Sequence, residues 1–129
     1  MSQLLSLSPN LMVDNVTKSI DFYSKNFGFE LINSMPGEGE VVWAMMKQSN
    51  VTIMFHEKKN MTDEYSVFAN KDISATMVLY IIVDDVKAFY KTIEPSLILK
   101  ELHTTFYKMQ EFSVKDHQGY VLTFAQPEA

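Results

Sequence analysis

Four side chains hold most of the chemistry open to this sequence: His56, His103, His117 and Glu111. Glu111 stands directly before Phe112 and Val114 in an alternating run, so it should point opposite them, away from any helix on which they pack. A carboxylate so placed can receive a cationic or hydroxyl-bearing ligand, or act as a base where desolvation raises its pKa. His56 follows a strand and precedes Glu57. Neighbouring strand residues face opposite ways, so the two make a poor chelating pair, and a place near a sheet rim is expected. His103 closes the alternating stretch 97–103, either facing a site or standing at the rim. His117 falls in Asp116-His117-Gln118-Gly119, a turn, and reads there as a solvated residue. No Ser-His-Asp spacing, phosphate-cradling glycine loop or cysteine nucleophile is visible. Gly37-Glu38-Gly39 lacks the third glycine and the following helix of a dinucleotide motif.

The elements that must position these groups are written twice. Val13-Asp14-Asn15-Val16 recurs in the second half as Val83-Asp84-Asp85-Val86, and Ile20 and Tyr23 are answered by Tyr90 and Ile93. Each copy reads as the end of a strand, an Asp/Asn helix start and an amphipathic helix. In the first half, strand 7–13 leads to a helix whose apolar face is Val16, Ile20, Tyr23 and Phe27, stopped by Gly28. Strand 29–33, a turn at 36–39 and a hairpin of strands 41–46 and 51–55 follow. In the second half, strand 76–83 leads to helix 86–93, ended by Pro95. Strands 97–103, 111–115 and 120–125 complete it, the last two joined by the turn at 116–119. The count is two βαβββ units, residues 1–57 and 75–127, joined by a polar linker, 58–74, with a short element around residues 65–68. Two equivalent modules imply pseudo-symmetry, with any site between the halves.

A chain of 129 residues is one domain's worth and can bury roughly two-thirds of its unfolded surface without a staple. The absence of cysteine suits a reducing compartment, and equally any compartment where disulfides are unnecessary. No window approaches the roughly 20 apolar residues of a membrane span, so the reading is soluble and cytoplasmic, with no membrane partner. A net charge of −5 argues against a nucleic-acid surface, and the adjacent pair Lys58-Lys59 reads as a solvated loop.

The order and spacing of Val13-Asp14-Asn15, residues 19–23, Phe27-Gly28-Phe29, Val83-Asp84-Asp85-Val86, residues 111–116 and Gly119-Tyr120 before Leu122-Thr123-Phe124 resemble the vicinal oxygen chelate superfamily. Its members include glyoxalase I, bleomycin- and fosfomycin-resistance proteins and extradiol dioxygenases. The resemblance spans nearly the whole chain. It implies an α+β fold in which the two βαβββ modules form a curled mixed sheet, a cup with the helices outside. It also implies four metal ligands of His/Glu type, at positions that here fall near Ser8, Met54, Val78 and Thr123. None of these suits a hard or borderline divalent ion, and their strand neighbours offer little more. No metal and no cofactor is therefore expected.

What remains for the cup is apolar, aromatic and methionine-rich. If the former ligand positions face inward, Met54 shares that face with Thr52 and His56, Tyr80 with Val78 and Ile82, and Thr123 with Val121 and Ala125. Trp43 and Met45 are companions. Phe106 and Tyr107 stand where relatives place loop aromatics, and Lys108 where many have glycine. The ligand-binding set is Trp43, Met45, Met54, Tyr80, His103, Tyr107, Glu111 and Thr123. The nine methionines and abundant phenylalanines are equally accounted for as core filling. Family members usually pair, and exposed strand edges favour the same, so a homodimer is expected.

Two functions of different class follow. One is a metal-free protein that sequesters an amphiphilic or aromatic small molecule, as in the bleomycin-resistance branch. The other is a metal-dependent lyase, isomerase or dioxygenase holding its ion with an unconventional set drawn from His56, His103 and Glu111.

Overall fold

The computed structural model describes residues 2–36 and 39–129, so the expected turn at 36–39 and the Gly37-Glu38-Gly39 motif lie in part outside the described residues. The chain divides into two compact units, residues 1–73 and 74–129. Each is an α+β βαβββ module built on a four-stranded mixed sheet.

In the first unit, β1 (Asn10–Val13), β2 (Glu30–Met35), β3 (Trp43–Gln48) and β4 (Val51–Glu57) align in the order β1-β4-β3-β2, with β1 and β4 parallel. α1 (Val16–Phe27) starts where Asn15 accepts a hydrogen bond from the Lys18 N–H at 3.1 Å. It stops at Gly28, whose φ of 75° costs a residue without Cβ nothing. Tyr23 lays the helix on the sheet, its ring 4.7 Å from that of Phe55 and 5.3 Å from Phe27. Ile53 and Phe55 on β4 and Ala44 and Met46 on β3 are buried on this helix face.

Three expectations for this half need correction. The first strand covers only residues 10–13. Pro9 has no N–H to give a ladder, although its carbonyl accepts from the Met54 N–H, and Leu4, Leu5 and Leu7 lie exposed before it. The polar stretch 58–74 is more than a linker. It contains α2 (Lys58–Glu64) and a 3₁₀ turn at Ser66–Phe68. Glu57 caps α2, accepting from the Asn60 and Lys59 N–H groups, and Met61 supplies its buried contact. Finally, His56 is no rim residue: it is buried within β4.

The second unit repeats the plan. β5 (Val78–Ile82), β6 (Ile98–Thr104), β7 (Met109–Lys115) and β8 (Val121–Pro127) align in the order β5-β8-β7-β6, with β5 and β8 parallel. α3 (Val86–Thr92) is capped by Asp85, which accepts from the Ala88 N–H at 3.1 Å. Phe89 packs its ring 4.8 Å from Phe124, and Tyr90 packs 5.0 Å from Phe112. Pro95 opens a 3₁₀ turn, Pro95–Leu97, after the helix has already ended. The 116–119 turn is tied by Asp116, whose carboxylate accepts from the Gln118 and Tyr120 N–H groups, while Gly119 takes a φ of 101°.

Candidate functional site

Strand pairing sorts side chains by face, because residues opposed in register point the same way. In the second unit Phe112 pairs with Phe124 and Val114 with Leu122, and all four are buried, with Phe112 and Phe124 against α3. The intervening residues must therefore occupy the other face. Glu111 lies opposite Ala125 and His103, Ser113 opposite Thr123, and Tyr80 opposite Thr123 on its other side. Val78, Ile82 and Val121 complete this face with apolar side chains.

Within it, Glu111 gathers two hydroxyl donors. The Tyr80 hydroxyl donates to Glu111 Oε2 at 2.8 Å, and the Tyr107 hydroxyl donates to Oε1 at 3.0 Å. Glu111 is 7% exposed, whereas Tyr80 and Tyr107 remain 48% and 50% exposed. Both phenols are held in the protonated form. Burial, then the hydrogen bond to Glu111, pushes Tyr80 up to about 12. The hydrogen bond to Glu111, then desolvation, raises Tyr107 above the usual tyrosine value.

Tyr107 reaches its position through the tight turn between β6 and β7. The Lys108 N–H donates to the Thr105 carbonyl, the Thr105 hydroxyl accepts from the Met109 N–H, and Lys108 takes a φ of 65°. This is a conformation that glycine adopts more cheaply. Phe106 stands beside Tyr107 with ring centroids 5.0 Å apart and is 96% exposed. Next to Glu111, Ser113 and Thr123 bond to each other at 2.7 Å, both buried. His103 donates from Nδ1 to the Glu101 carbonyl at 2.7 Å.

In the first unit the face away from α1 carries Trp43, Met45, Met54 and His56, since Trp43 pairs with His56 and Met45 with Met54. His56 is fully engaged. Its Nδ1 accepts from the Asn10 amide at 3.2 Å, and its Nε2 donates to Asn60 Oδ1 at 2.8 Å. Asn10 Oδ1 is buried without a partner.

The structure thus brings Tyr80, Tyr107, Glu111, Thr123 and His103 onto one sheet face. It places Trp43, Met45 and Met54 on the open face of the other unit. Ser113 was overlooked in the sequence, although its position two residues beyond Glu111 gives it the same face. Asn10 and Asn60 carry no local signal, because their partner is distant along the chain or reached only through α2. A surface depression of about 430 Å³, lined by Gly28, residues 30–32 and residues 47–49, holds none of the expected residues.

The residues at the ligand positions of metal-binding relatives do not fit an ion. Met54 lies opposite Asn10 and Thr123 opposite Tyr80, so the register adds no imidazole or carboxylate to either pair. Both nitrogens of His56 are already bonded. Among the described residues no group of three His, Cys, Asp or Glu side chains is arranged to hold a metal.

Comparison with known proteins gives a consistent picture. Residues 5–124 match the family described as the Glyoxalase/Bleomycin resistance protein/Dioxygenase superfamily. No curated protein matches. The structure is similar to TioX from Micromonospora sp. ML1, with a TM-score of 0.81 at 17% identity, covering 94% of this chain and 97% of that one. It is also similar to a glyoxalase/bleomycin resistance protein/dioxygenase family enzyme from Burkholderia phytofirmans PsJN, with a TM-score of 0.72, 16% identity and coverage of 93% and 96%. A protein of unknown function from Agrobacterium tumefaciens str. C58 gives a TM-score of 0.78 at 16% identity, covering 98% and 96%. At such identities the likeness shows the fold alone.

Proposed function

This chain belongs to the glyoxalase/bleomycin resistance protein/dioxygenase superfamily, and we propose that it acts within it as a metal-independent small-molecule-binding protein. The observation that carries the reading is the open face of the second sheet. There a buried carboxylate and two half-exposed phenols converge among apolar side chains. A largely apolar surface with a few placed polar groups is what an amphiphilic or aromatic ligand requires: the apolar part is desolvated and the polar groups fix its orientation. Thr123 and His103 belong to the same face. In the first unit, taken by itself, the face away from α1 carries Trp43, Met45 and Met54, side chains of the same apolar and adaptable kind. The donor chemistry at the family's ligand positions supports metal independence.

We place the protein in the cytoplasm as a homodimer with one ligand per chain. No helix of the described residues is long and apolar enough to cross a membrane.

The test is binding of a neutral aromatic fluorophore, Nile red, to protein treated with EDTA, followed through its emission and through thermal unfolding. Saturable binding near one equivalent per chain, unaltered by Ni²⁺, Zn²⁺, Mn²⁺ or Fe²⁺ and weakened by Tyr80→Ala, supports the reading. Stoichiometric uptake of one of these ions, with binding that disappears on chelation, overturns it in favour of a metal-dependent enzyme.

A further inference from the structure

Among the described residues Glu111 is a buried carboxylate with no cationic partner. The chain's basic residues are all lysines apart from its three histidines, and among the described residues none of their nitrogens lies within 4.0 Å of the Glu111 carboxylate. His103 faces Glu111 across the β6–β7 ladder, yet its Nδ1 is spent on the Glu101 carbonyl. The groups that do touch the carboxylate, the hydroxyls of Tyr80 and Tyr107, are neutral donors. They satisfy hydrogen bonding in part and leave the charge uncompensated. A carboxylate has about four acceptor positions, of which two are filled here. Desolvated charge is costly without a counter-charge, so this site is built for something positive.

The surroundings narrow the ligand further. The rings that carry the two hydroxyls are each about half exposed, and the Phe106 ring beside Tyr107 is almost wholly so. Aromatic faces attract cations, and they also accept the apolar body of a ligand. An anion would meet Glu111 with no positive partner, and a neutral ligand would leave the charge as it stands. Ser113 and Thr123, the other hydroxyls of this face, bond to each other and compete little for a polar head group.

We infer that Glu111, flanked by the rings of Tyr80 and Tyr107, is the counter-ion for a protonated amine, so that the ligand of this face is an alkyl- or arylalkylammonium ion. The ammonium N–H groups take the acceptor positions the phenols leave free, and the apolar remainder lies along Val78 and Ile82 of β5. The inference rests on the reading of this face as a ligand site and adds the charge of the ligand to it.

Three probes that differ only in their head group separate the two ideas: 4-phenylbutylamine, 4-phenylbutan-1-ol and 4-phenylbutyrate. Calorimetric titration into the unmodified, EDTA-treated full chain is expected to show the amine binding about tenfold or more tighter than the alcohol, the scale of one charge-assisted hydrogen bond. The butyrate should bind more weakly still. Glu111→Gln, checked for folding by its thermal transition, is expected to remove the gap between amine and alcohol. Equal affinity of amine and alcohol for the unmodified chain overturns the inference while leaving a small-molecule site in place. Failure of all three probes to bind overturns the small-molecule reading of this face as well. The comparison on the unmodified chain decides the matter even where the variant does not fold.

Discussion

Tyr80 donates its hydroxyl to Glu111 and is only about half exposed, and these two facts set how it titrates. Its folded-state pKa is raised to about 12, with burial the first cause and the carboxylate the next. Because the raised value belongs to the folded state, the stabilisation linked to this phenol is fully present below the ordinary tyrosine pKa of about 10. It is lost as the pH climbs from there through about 12. Absorbance titration near 295 nm should resolve one tyrosine ionising late, and Glu111→Gln should bring it forward without restoring the ordinary value, since burial remains. A Tyr80 that titrates with the exposed tyrosines would contradict the bonded geometry. The neighbouring pair, Ser113 and Thr123, makes a different kind of claim. Each is buried with its hydroxyl on the other, so Ser113→Ala or Thr123→Val strands one polar group and should cost about 1–3 kcal/mol. Replacing both should cost clearly less than the sum, which a double-mutant cycle in urea will read. At this scale the facing of Glu111 was legible from alternation alone, because Phe112 and Val114 are unambiguous core residues. Its partnership with Tyr107 was not, since that bond depends on how the 105–108 turn closes. Nor was the burial of His56, whose partner Asn10 is distant along the chain.

Elements announce themselves in a sequence when their ends do. α1 and α3 are framed by Asn15 and Asp85, residues whose short side chains reach the N–H groups of the first turn, and the Gly28 stop is equally plain. α2 escaped notice because its cap is Glu57, a residue outside the usual capping set, and because it has little apolar face beyond Met61. β1 is shorter than the apolar run 7–13, since such a run says nothing about whether a partner strand is present. Only residues 10–13 find β4. The β6–β7 connection offers a direct test of element chemistry. Lys108 sits at a φ of 65°, a conformation that costs an L-residue roughly 1–2 kcal/mol. Lys108→Gly removes that cost but adds freedom to the unfolded chain worth about 0.4–1 kcal/mol. The net expectation is a gain between zero and about 1.5 kcal/mol, visible as a higher urea midpoint at unchanged slope. A clear loss of stability would mean that the Lys108 side chain makes a contact that outweighs its backbone strain.

For the whole molecule, what the modules leave uncovered matters more than what they bury. Among the described residues each sheet has an unpaired edge at both ends of its strand order, and in the second unit β5 is one of those edges. β5 is apolar as well as unpaired on that side: Val78, Tyr80 and Ile82 are all about half exposed, with Met77 just before them. An edge strand of this kind is a template for another chain unless charge or proline blunts it, and Val78–Ile82 contains neither. Net charge of −5 is too modest to keep copies apart at physiological salt. Symmetric pairing of identical edges satisfies the unused backbone groups while the side chains of β5 stay on the sheet face, and a twofold operator closes the assembly at two chains. The expectation is therefore a dimer in sedimentation velocity at micromolar concentration. Ile82→Lys, which places a charge on the unpaired strand, should shift the species towards monomer while Glu111 and its two phenols keep their bonds. A chain that remains monomeric at 100 μM, or an Ile82→Lys variant that still dimerises, would remove β5 as the interface. In the latter case the interface would pass to β2, one edge of the first sheet, where Leu31, Ile32 and Met35 are exposed in the same way.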